Sequence, residues 1–175
     1  SKNGAFPIDA GTVPNIIEYS FLIKHLFTLI LLIFPNSHKE ASVKKEEIDI
    51  MWFKRDLRII DNNAFNNASR KGKVLALYVF EPELWQQTDH SYRHYVFLRE
   101  ALDDLDKQLS TIGSNLIILV GNAVDIFDRL TSNYQINNIF SHQETWNLWT
   151  FRRDKEVRLW ASRNNVEWVE FPKNG

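Results

Sequence analysis

Short apolar runs recur along the chain from residue 48 onward, and stretches with helical periodicity separate them. The runs cover residues 48–53, 74–80 and 115–120, a fourth predicted strand covers 136–140, and an alternating run covers 166–171. Apolar runs of this length are typical of buried strands. Because 74–80 is apolar at every position, we expect that strand to be covered on both faces, as in a parallel sheet.

The stretches between these runs predict helices. In the clearest one, leucines recur every three or four residues from Leu98 to Leu109, and Ile112 completes the stripe before Gly113 ends it. Asp61 or Asn62 is placed to cap a shorter helix that ends by Gly72. The predicted helices cover 62–72, 98–112, 123–130 and 149–162.

Strands that alternate with helices in this way build right-handed β-α-β units. We therefore predict an α/β domain over residues 48–175, with an open five-stranded parallel sheet and helices on both faces. Residues 1–47 are predicted to lie outside this domain as an N-terminal extension.

The most apolar segment, 16–34, is interrupted by Glu18, Lys24 and His25. A membrane span needs about 20 apolar residues, and a central lysine costs roughly 3 kcal/mol on insertion. Membrane anchoring by 16–34 is therefore disfavoured. A signal or transit segment and a non-native translated leader remain alternatives, and residues 37–47 have the composition of a charged linker.

Composition narrows the function classes. The chain has 175 residues, no Cys and a formal net charge of −1. Without Cys there is no disulfide, thiolate metal site or Cys nucleophile, which fits a cytoplasmic, nuclear or organellar location. The near-neutral charge gives no overall attraction to nucleic acid.

Polar residues follow the ends of the predicted strands. These stretches are Lys54-Arg55-Asp56, Glu81-Pro82-Glu83, Gly121-Asn122 and Ser141-His142-Gln143-Glu144. Ligands of open α/β sheets bind beyond the carboxyl ends of the strands, so this edge is the predicted site. From the residues alone, the charged run at 54–58 is equally well a solvated loop with weak ion pairs, and Glu144 is equally well a partner of a helix N-terminus.

Two other groups of residues have simpler structural interpretations. His90 and His94 are four apart, but no third ligand stands at zinc-motif spacing, so we expect surface histidines on a helix and no metal. The C-terminal tryptophans suggest an aromatic core between the last helix and strand more than a redox chain, although Trp146 is placed to line the crevice. This group comprises Trp146, Trp149, Trp160 and Trp168.

Two long stretches resemble one protein family. "WFKRDLRIIDNNAF" is similar to the signature W-F-R-R-D-L-R-x-x-D-N-x-A-L of DNA photolyases and cryptochromes, and "VLALYVFEPELW" fits the same family. The segment from "SHQETWNLWTFRRD" onward resembles S-H-x-E-T-x-N-x-W-T-x-x-R-D of a bacterial-type branch. The resemblance spans about 48–175 and implies a Rossmann-like N-terminal domain that often holds an antenna chromophore: a folate, a deazaflavin or a flavin.

The resemblance also implies partners and roles. FAD, damaged DNA and a tryptophan relay would belong to a helical domain beyond residue 175, so this monomeric stretch has no catalytic residues of its own. Asp56, Arg58 and Asp61 match the signature and would brace the turn after the first strand. The residues implied to bind the cofactor are Phe53, Lys54, Arg55, Glu81, His142, Gln143, Glu144 and Trp146.

Three departures from the family pattern bear on the antenna. Lys54 replaces an arginine, Trp146 stands where the branch often has glycine, and Leu148 interrupts an aromatic run. A tryptophan at 146 would either stack on a chromophore or fill its pocket. The functions implied are the light-harvesting domain of a photolyase that repairs pyrimidine dimers, the same domain of a cryptochrome photoreceptor, or a stand-alone α/β ligand-binding module.

Overall fold

A computed structural model describes residues 44–70 and 72–172. The strands are β1 (Glu46–Phe53), β2 (Val74–Phe80), β3 (Leu116–Val120), β4 (Tyr134–His142) and β5 (Glu167–Phe171). The helices are α1 (Asn63–Ala68), α2 (Pro82–Trp85), α3 (Tyr92–Thr111), α4 (Ala123–Thr131) and α5 (Leu148–Arg163).

The five strands form one sheet in the order β3-β2-β1-β4-β5, and every neighbouring pair is parallel. The predicted α/β fold with an open five-stranded parallel sheet is confirmed. Chain order runs outward from β1 to β3 on one side and from β4 to β5 on the other. The strand order therefore reverses between β1 and β4, which is where such sheets form their ligand crevice.

Helices cover both faces of the sheet, as predicted. Because successive strand residues point to opposite faces, Trp52 belongs to one core and its neighbours Met51 and Phe53 to the other. The Trp52 face packs against buried residues of α4 and α5, including Phe127 and Val157. The Phe53 face packs against α1 and α3.

Several boundaries differ from those predicted. β1 begins at Glu46 instead of Ile48, because its exposed first residues still pair with Tyr134 and Gln135 of β4. β4 itself extends to His142, so part of the predicted post-strand loop is strand.

The helix starts also differ. Asn62, and not Asp61, caps α1 by accepting a hydrogen bond from Phe65 N at 2.8 Å, and α1 ends at Ala68, before Gly72. α3 begins at Tyr92 and not at Leu98, and the earlier start was missed because the first turn lies outside the leucine stripe. The short helix α2, with Pro82 in its first turn, was not predicted.

The predicted extension over 1–47 falls almost wholly outside the described residues, and so does the segment 16–34. In the part of the chain that is described, no helix combines the length and apolar character that crossing a membrane requires.

Candidate cofactor cleft

A cleft of about 210 Å³ opens at the carboxyl ends of β1 and β2. Tyr78 and Val79 of β2 line it, and α3 contributes His94 and Phe97. The loop after β4 supplies Trp146. The cleft therefore lies beside the point where the strand order reverses, and two separate loops form its rim.

The structure brings the predicted cofactor-binding residues to this one edge of the sheet. Six of them line the cleft: Phe53, Lys54, Arg55, Glu81, Glu144 and Trp146. The other two, His142 and Gln143, line an adjoining pocket of about 30 Å³ that shares Lys54, Arg55 and Glu144 with the cleft. All eight predicted residues therefore lie around one cleft and the pocket that adjoins it.

Arg153 of α5 holds the inner end of the cleft together. Its guanidinium donates to Glu81 at 2.7 Å, to Asp154 at 2.9 Å and to Glu144. Asn147 fixes the start of α5 through a capping box with Thr150, which sets the position of Arg153 one turn further on. One buried cation is thus shared by three carboxylates through charge-assisted hydrogen bonds.

Because three carboxylates share the Arg153 guanidinium, the negative charge of Glu81 is only partly neutralised. Burial raises its pKa to about 7, and the nearby charge of Glu144 adds to the rise, although Arg153 and the Ala123 N–H act in the opposite direction. Burial disfavours the Arg153 cation, but the surrounding carboxylates outweigh that effect and raise its pKa. Burial also raises the pKa of Tyr78, which is a neutral phenol at physiological pH.

Lys54 lines the cleft, but its ammonium already has partners. The side chain is 3% exposed and lies 3.4 Å from Asp154 and 3.5 Å from Glu170. The rings of Trp52 and Trp168 lie 5.1 and 5.3 Å from Nζ, within cation–π distance. Lys54 therefore joins β1 to α5 and β5, and Arg55 is the cation nearer to the rim.

The turn after β1 is braced by the signature residues. Asp56 pairs with Arg58 at 2.9 Å and lies 3.5 Å from His142 Nδ1. Asn62 donates to the Arg58 carbonyl at 2.8 Å, which closes the turn. Asp61 adopts a left-handed backbone, with φ of 51°, just before the cap.

A column of rings spans the cleft rim. The Arg55 guanidinium lies 3.9 Å from the Trp146 ring centroid. Trp146 is followed by His90 at 4.5 Å, and His90 by Trp85 at 4.6 Å. Trp85 then stacks on Phe80 at 5.6 Å and an interplanar angle of 8°. Residues 86–91 and the loop after β4 thus meet across the cleft.

The prediction of helix-surface histidines is correct for His94 and wrong for His90. His94 is exposed on α3, whereas His90 precedes that helix and its side chain is 3% exposed. Burial lowers the pKa of His90, with smaller contributions from His94 and Arg55, and Asp89 only partly offsets them. Within 44–70 and 72–172, no three His, Cys, Asp or Glu side chains form a group that could hold a metal ion.

The tryptophans divide between core and rim. Trp160 is buried 5.4 Å from Phe127, and Trp168 packs against the same core, as predicted. Trp149 lies outside the core, half-buried, with its ring 5.8 Å from the Arg153 guanidinium. Trp146 lines the cleft, as the sequence suggested.

The cleft has the chemistry that a planar heteroaromatic cofactor needs. The aromatic rings of Trp85 and Trp146 line the cleft, and His90 contacts both of them. The Trp85 Nε1 donor is buried and has no hydrogen-bond partner among the described residues. A buried donor without a partner costs about 1–3 kcal/mol, which a ligand acceptor would recover. The residues present therefore fit such a group.

Some of these residues were not predicted. Arg153 lies one helical turn after Trp149 and one turn before Val157, so it shares a helix face with these two apolar residues. A charged residue on an apolar face is a signal of a buried ion pair. Trp85, His90 and Tyr78 gave no comparable signal. Their role depends on how the segment after β2 folds across the sheet edge.

Comparison with known proteins agrees with this geometry. The DNA photolyase family model matches residues 49–174. The chain belongs to the DNA photolyase family, which includes cryptochromes among its members.

The curated relatives that the chain matches are longer proteins. It is 34% identical over 115 residues to the chloroplastic/mitochondrial cryptochrome DASH of Arabidopsis thaliana, covering 60% of this chain and 20% of that protein. Cryptochrome-1 of Anopheles gambiae is 28% identical over 120 residues, covering 63% of this chain and 22% of that protein. The chain thus spans about a fifth of the length of these relatives.

Among solved structures, the photolyase of Sulfolobus tokodaii with two FAD molecules aligns with a TM-score of 0.61 and 25% identity, covering 71% of this chain and 29% of that one. The class III photolyase of Agrobacterium tumefaciens gives a TM-score of 0.63 at 22% identity, covering 78% of this chain and 27% of that one. The second likeness supports the fold alone.

Proposed function

We propose that residues 44–172 form the light-harvesting domain of a blue-light flavoprotein. The cleft would hold an antenna chromophore, a folate, deazaflavin or flavin, and a C-terminal helical domain of the same protein would hold FAD. The observation that carries this proposal is the aromatic rim at the switch point of the sheet, with Arg55 beside Trp146 and the unpaired N–H of Trp85. When bound, the chromophore would absorb light and pass its excitation to FAD.

The chain's own residues would bind and orient the chromophore. The faces of Trp85 and Trp146 would fix the plane of its ring system. Arg55 would face an anionic tail such as a phosphate or a glutamate carboxylate. Glu144 would accept hydrogen bonds from the ring edge of the chromophore while it also accepts one from Arg153. Its contribution to chromophore binding therefore depends on that ion pair. The Sulfolobus tokodaii photolyase, in which two FAD molecules imply a novel light-harvesting cofactor, supports a flavin as one candidate.

Binding is testable with the 175-residue chain. We expect FMN, a reduced folate or a deazaflavin to quench tryptophan fluorescence with weak affinity, at about micromolar or poorer dissociation constants. Arg55→Ala should weaken FMN more than uncharged riboflavin, whereas the control Arg58→Ala should affect both alike, because Arg58 pairs with Asp56. Failure of all three chromophore classes to bind would refute the antenna role.

For the whole protein, we propose photolyase activity, the splitting of pyrimidine dimers in DNA under blue light. The reaction would take place at FAD in the helical domain, so the 175-residue chain should show no repair in a blue-light dimer assay. Turnover by this chain alone would contradict the assignment of the chemistry to the other domain.

A cryptochrome photoreceptor is the second candidate, and the names of the relatives favour it, because DASH and type 1 cryptochromes are among them. The same repair assay distinguishes the two once the chain is expressed with its downstream coding sequence. Dimer repair by the FAD-loaded protein would support a photolyase. Photoreduction of FAD without repair would support a cryptochrome.

A further inference from the structure

His90 occupies a position that a ligand ring would be expected to take. Its imidazole lies between two indoles, 4.6 Å from the Trp85 centroid and 4.5 Å from the Trp146 centroid. Interplanar angles of 58° and 55° show tilted contacts on both sides. Aromatic pairs favour centroid distances of about 4.5–7 Å, so each contact is attractive. The two tryptophans therefore bound a slot for one planar ring, and a side chain of the protein fills it.

Polar contacts on the exposed side of His90 keep its ring between the two tryptophans. His90 Nδ1 lies 3.2 Å from Asp89, and Asp89 accepts a hydrogen bond from Asn147 at 2.9 Å. Asn147 caps α5 and directly follows Trp146. Asp89, His94 and Arg55 carry or can carry charge and act on the imidazole. In the described structure, residues 86–91 are thus fastened to the opposite rim by one exposed hydrogen bond, from Asn147 to Asp89, and by the ring contact between His90 and Trp146.

We propose that His90 is the specificity-determining residue of the cleft, and that a planar heteroaromatic ligand binds between Trp85 and Trp146 by replacing its imidazole. This inference rests on the proposed antenna function and adds which ligands the site accepts. A fused ring system covers more indole surface than imidazole does, so it can displace the side chain. A single small ring cannot, because it only reproduces contacts that His90 already makes.

The residues around the slot also indicate which polar groups the edge of the ligand should carry. The Trp85 Nε1 donor is buried without a partner in the described part of the chain, so an edge with an acceptor oxygen or nitrogen is favoured over a hydrocarbon ring. Arg55, against Trp146, favours an anionic substituent over a cationic one. Fused, acceptor-edged and anionic heterocycles are the class that meets all three conditions.

The test compares the wild-type chain with His90→Ala, His90→Asn and His90→Phe, using FMN and imidazole as probes at about pH 8, where imidazole is neutral. His90→Ala empties the slot, and His90→Asn also does so but keeps a polar partner for Asp89. His90→Phe keeps a ring in place. His94→Ala is the matched control, because His94 lies on the same rim and 6.4 Å from His90 but outside the tryptophan pair. Near-UV circular dichroism identifies which of the two ring-free variants is folded.

We expect His90→Ala and His90→Asn to bind FMN about tenfold more tightly than wild type. They should also bind imidazole, measured as tryptophan quenching and as competition with FMN. His90→Phe and His94→Ala should gain neither property. Equal FMN affinity in wild type and the ring-free variants, or no imidazole binding by a folded ring-free variant, would overturn the proposal. A third outcome is that the ring-free variants bind imidazole but no chain binds FMN, folate or deazaflavin. That result would support the slot between the tryptophans and refute the antenna function.

Discussion

Nη1 of Arg153 lies 2.7 Å from a carboxylate oxygen of Glu81, and each side chain is 3% exposed. The two residues are 72 positions apart in the chain, so this pair ties the last helix to the end of β2. It also fixes the inner end of the cleft, because Glu144 of the rim loop binds the same guanidinium. The shape of the candidate site therefore depends on a buried ionic group.

Arg153→Ala should destabilise the domain by about 3–5 kcal/mol, because removing one partner leaves buried carboxylates without compensation. Urea denaturation followed by circular dichroism measures the loss. The neighbouring Arg152→Ala is the matched control, since Arg152 is exposed on the same helix. A loss of less than about 1 kcal/mol for Arg153→Ala, similar to surface ion pairs, would show that the cluster is not stabilising.

Glu81 should make stability depend on pH near neutrality. Its folded pKa of about 7 lies above its usual value of 4.5, so the native state binds more protons than the unfolded state between these values. The stabilising contribution is then fully present below about pH 4.5 and is lost as pH rises through about 7, by up to about 3 kcal/mol.

The matched variant is Glu81→Gln, which imitates the protonated carboxyl at every pH. The difference in unfolding free energy between wild type and Glu81→Gln should shift in favour of the glutamine chain from about pH 5 to about pH 8. A difference that stays constant over this range would mean that the pKa of Glu81 is not raised.

Asn147→Ala should cost about 0.5–2 kcal/mol of stability through the lost N-cap of α5. It should also loosen the rim, because Asn147 donates to Asp89 at 2.9 Å. Asn122→Ala removes the comparable cap of α4, which has no contact with Asp89 in the described structure. Limited proteolysis within 86–91 should increase for Asn147→Ala only. Equal cleavage in both variants would show that the side chain of Asn147 does not hold residues 86–91 in place.

The same hydrogen bond predicts a response to acid. Asn147 lowers the pKa of Asp89, so this contact contributes above the usual pKa of an aspartate and is lost as pH falls through the lowered value. Rim proteolysis in wild type should therefore rise at acidic pH, while Asn147→Ala should show a smaller change. A wild-type rim that is equally resistant at acidic and neutral pH would contradict this link.

The fold was predictable because β2 and β3 are continuously apolar, the apolar runs within β1 and β4 are interrupted only by Asp49 and by Asn137 and Asn138, and the stretches between the strands are long enough for helices. The edge position of the candidate site residues followed from the same pattern, since parallel strands end together. The end of β4 was missed because Ser141 and His142 are polar although buried. Tertiary pairing with β5 overrides their local preference.

The interior of the site was less predictable. Nothing in the sequence near Lys54 shows that its ammonium is enclosed by Asp154 and Glu170, which lie far along the chain. The position of His90 between two tryptophans depends on the path of residues 86–91, which carry no periodic signal. The position of Trp146 before the last predicted helix placed it at the crevice, but only the structure shows that its ring contacts Arg55 and His90.

The most direct measurement is a two-dimensional NMR titration of the indole N–H resonances with FMN, a reduced folate and a deazaflavin. The account predicts that a binding chromophore shifts the resonances of Trp85 and Trp146. It should leave Trp160 unchanged, because that indole lies in the core and its N–H contacts Asp128 at 3.3 Å. Saturation by a chromophore with Trp85 and Trp146 unshifted, or with Trp160 shifted instead, would contradict the assignment of the cleft.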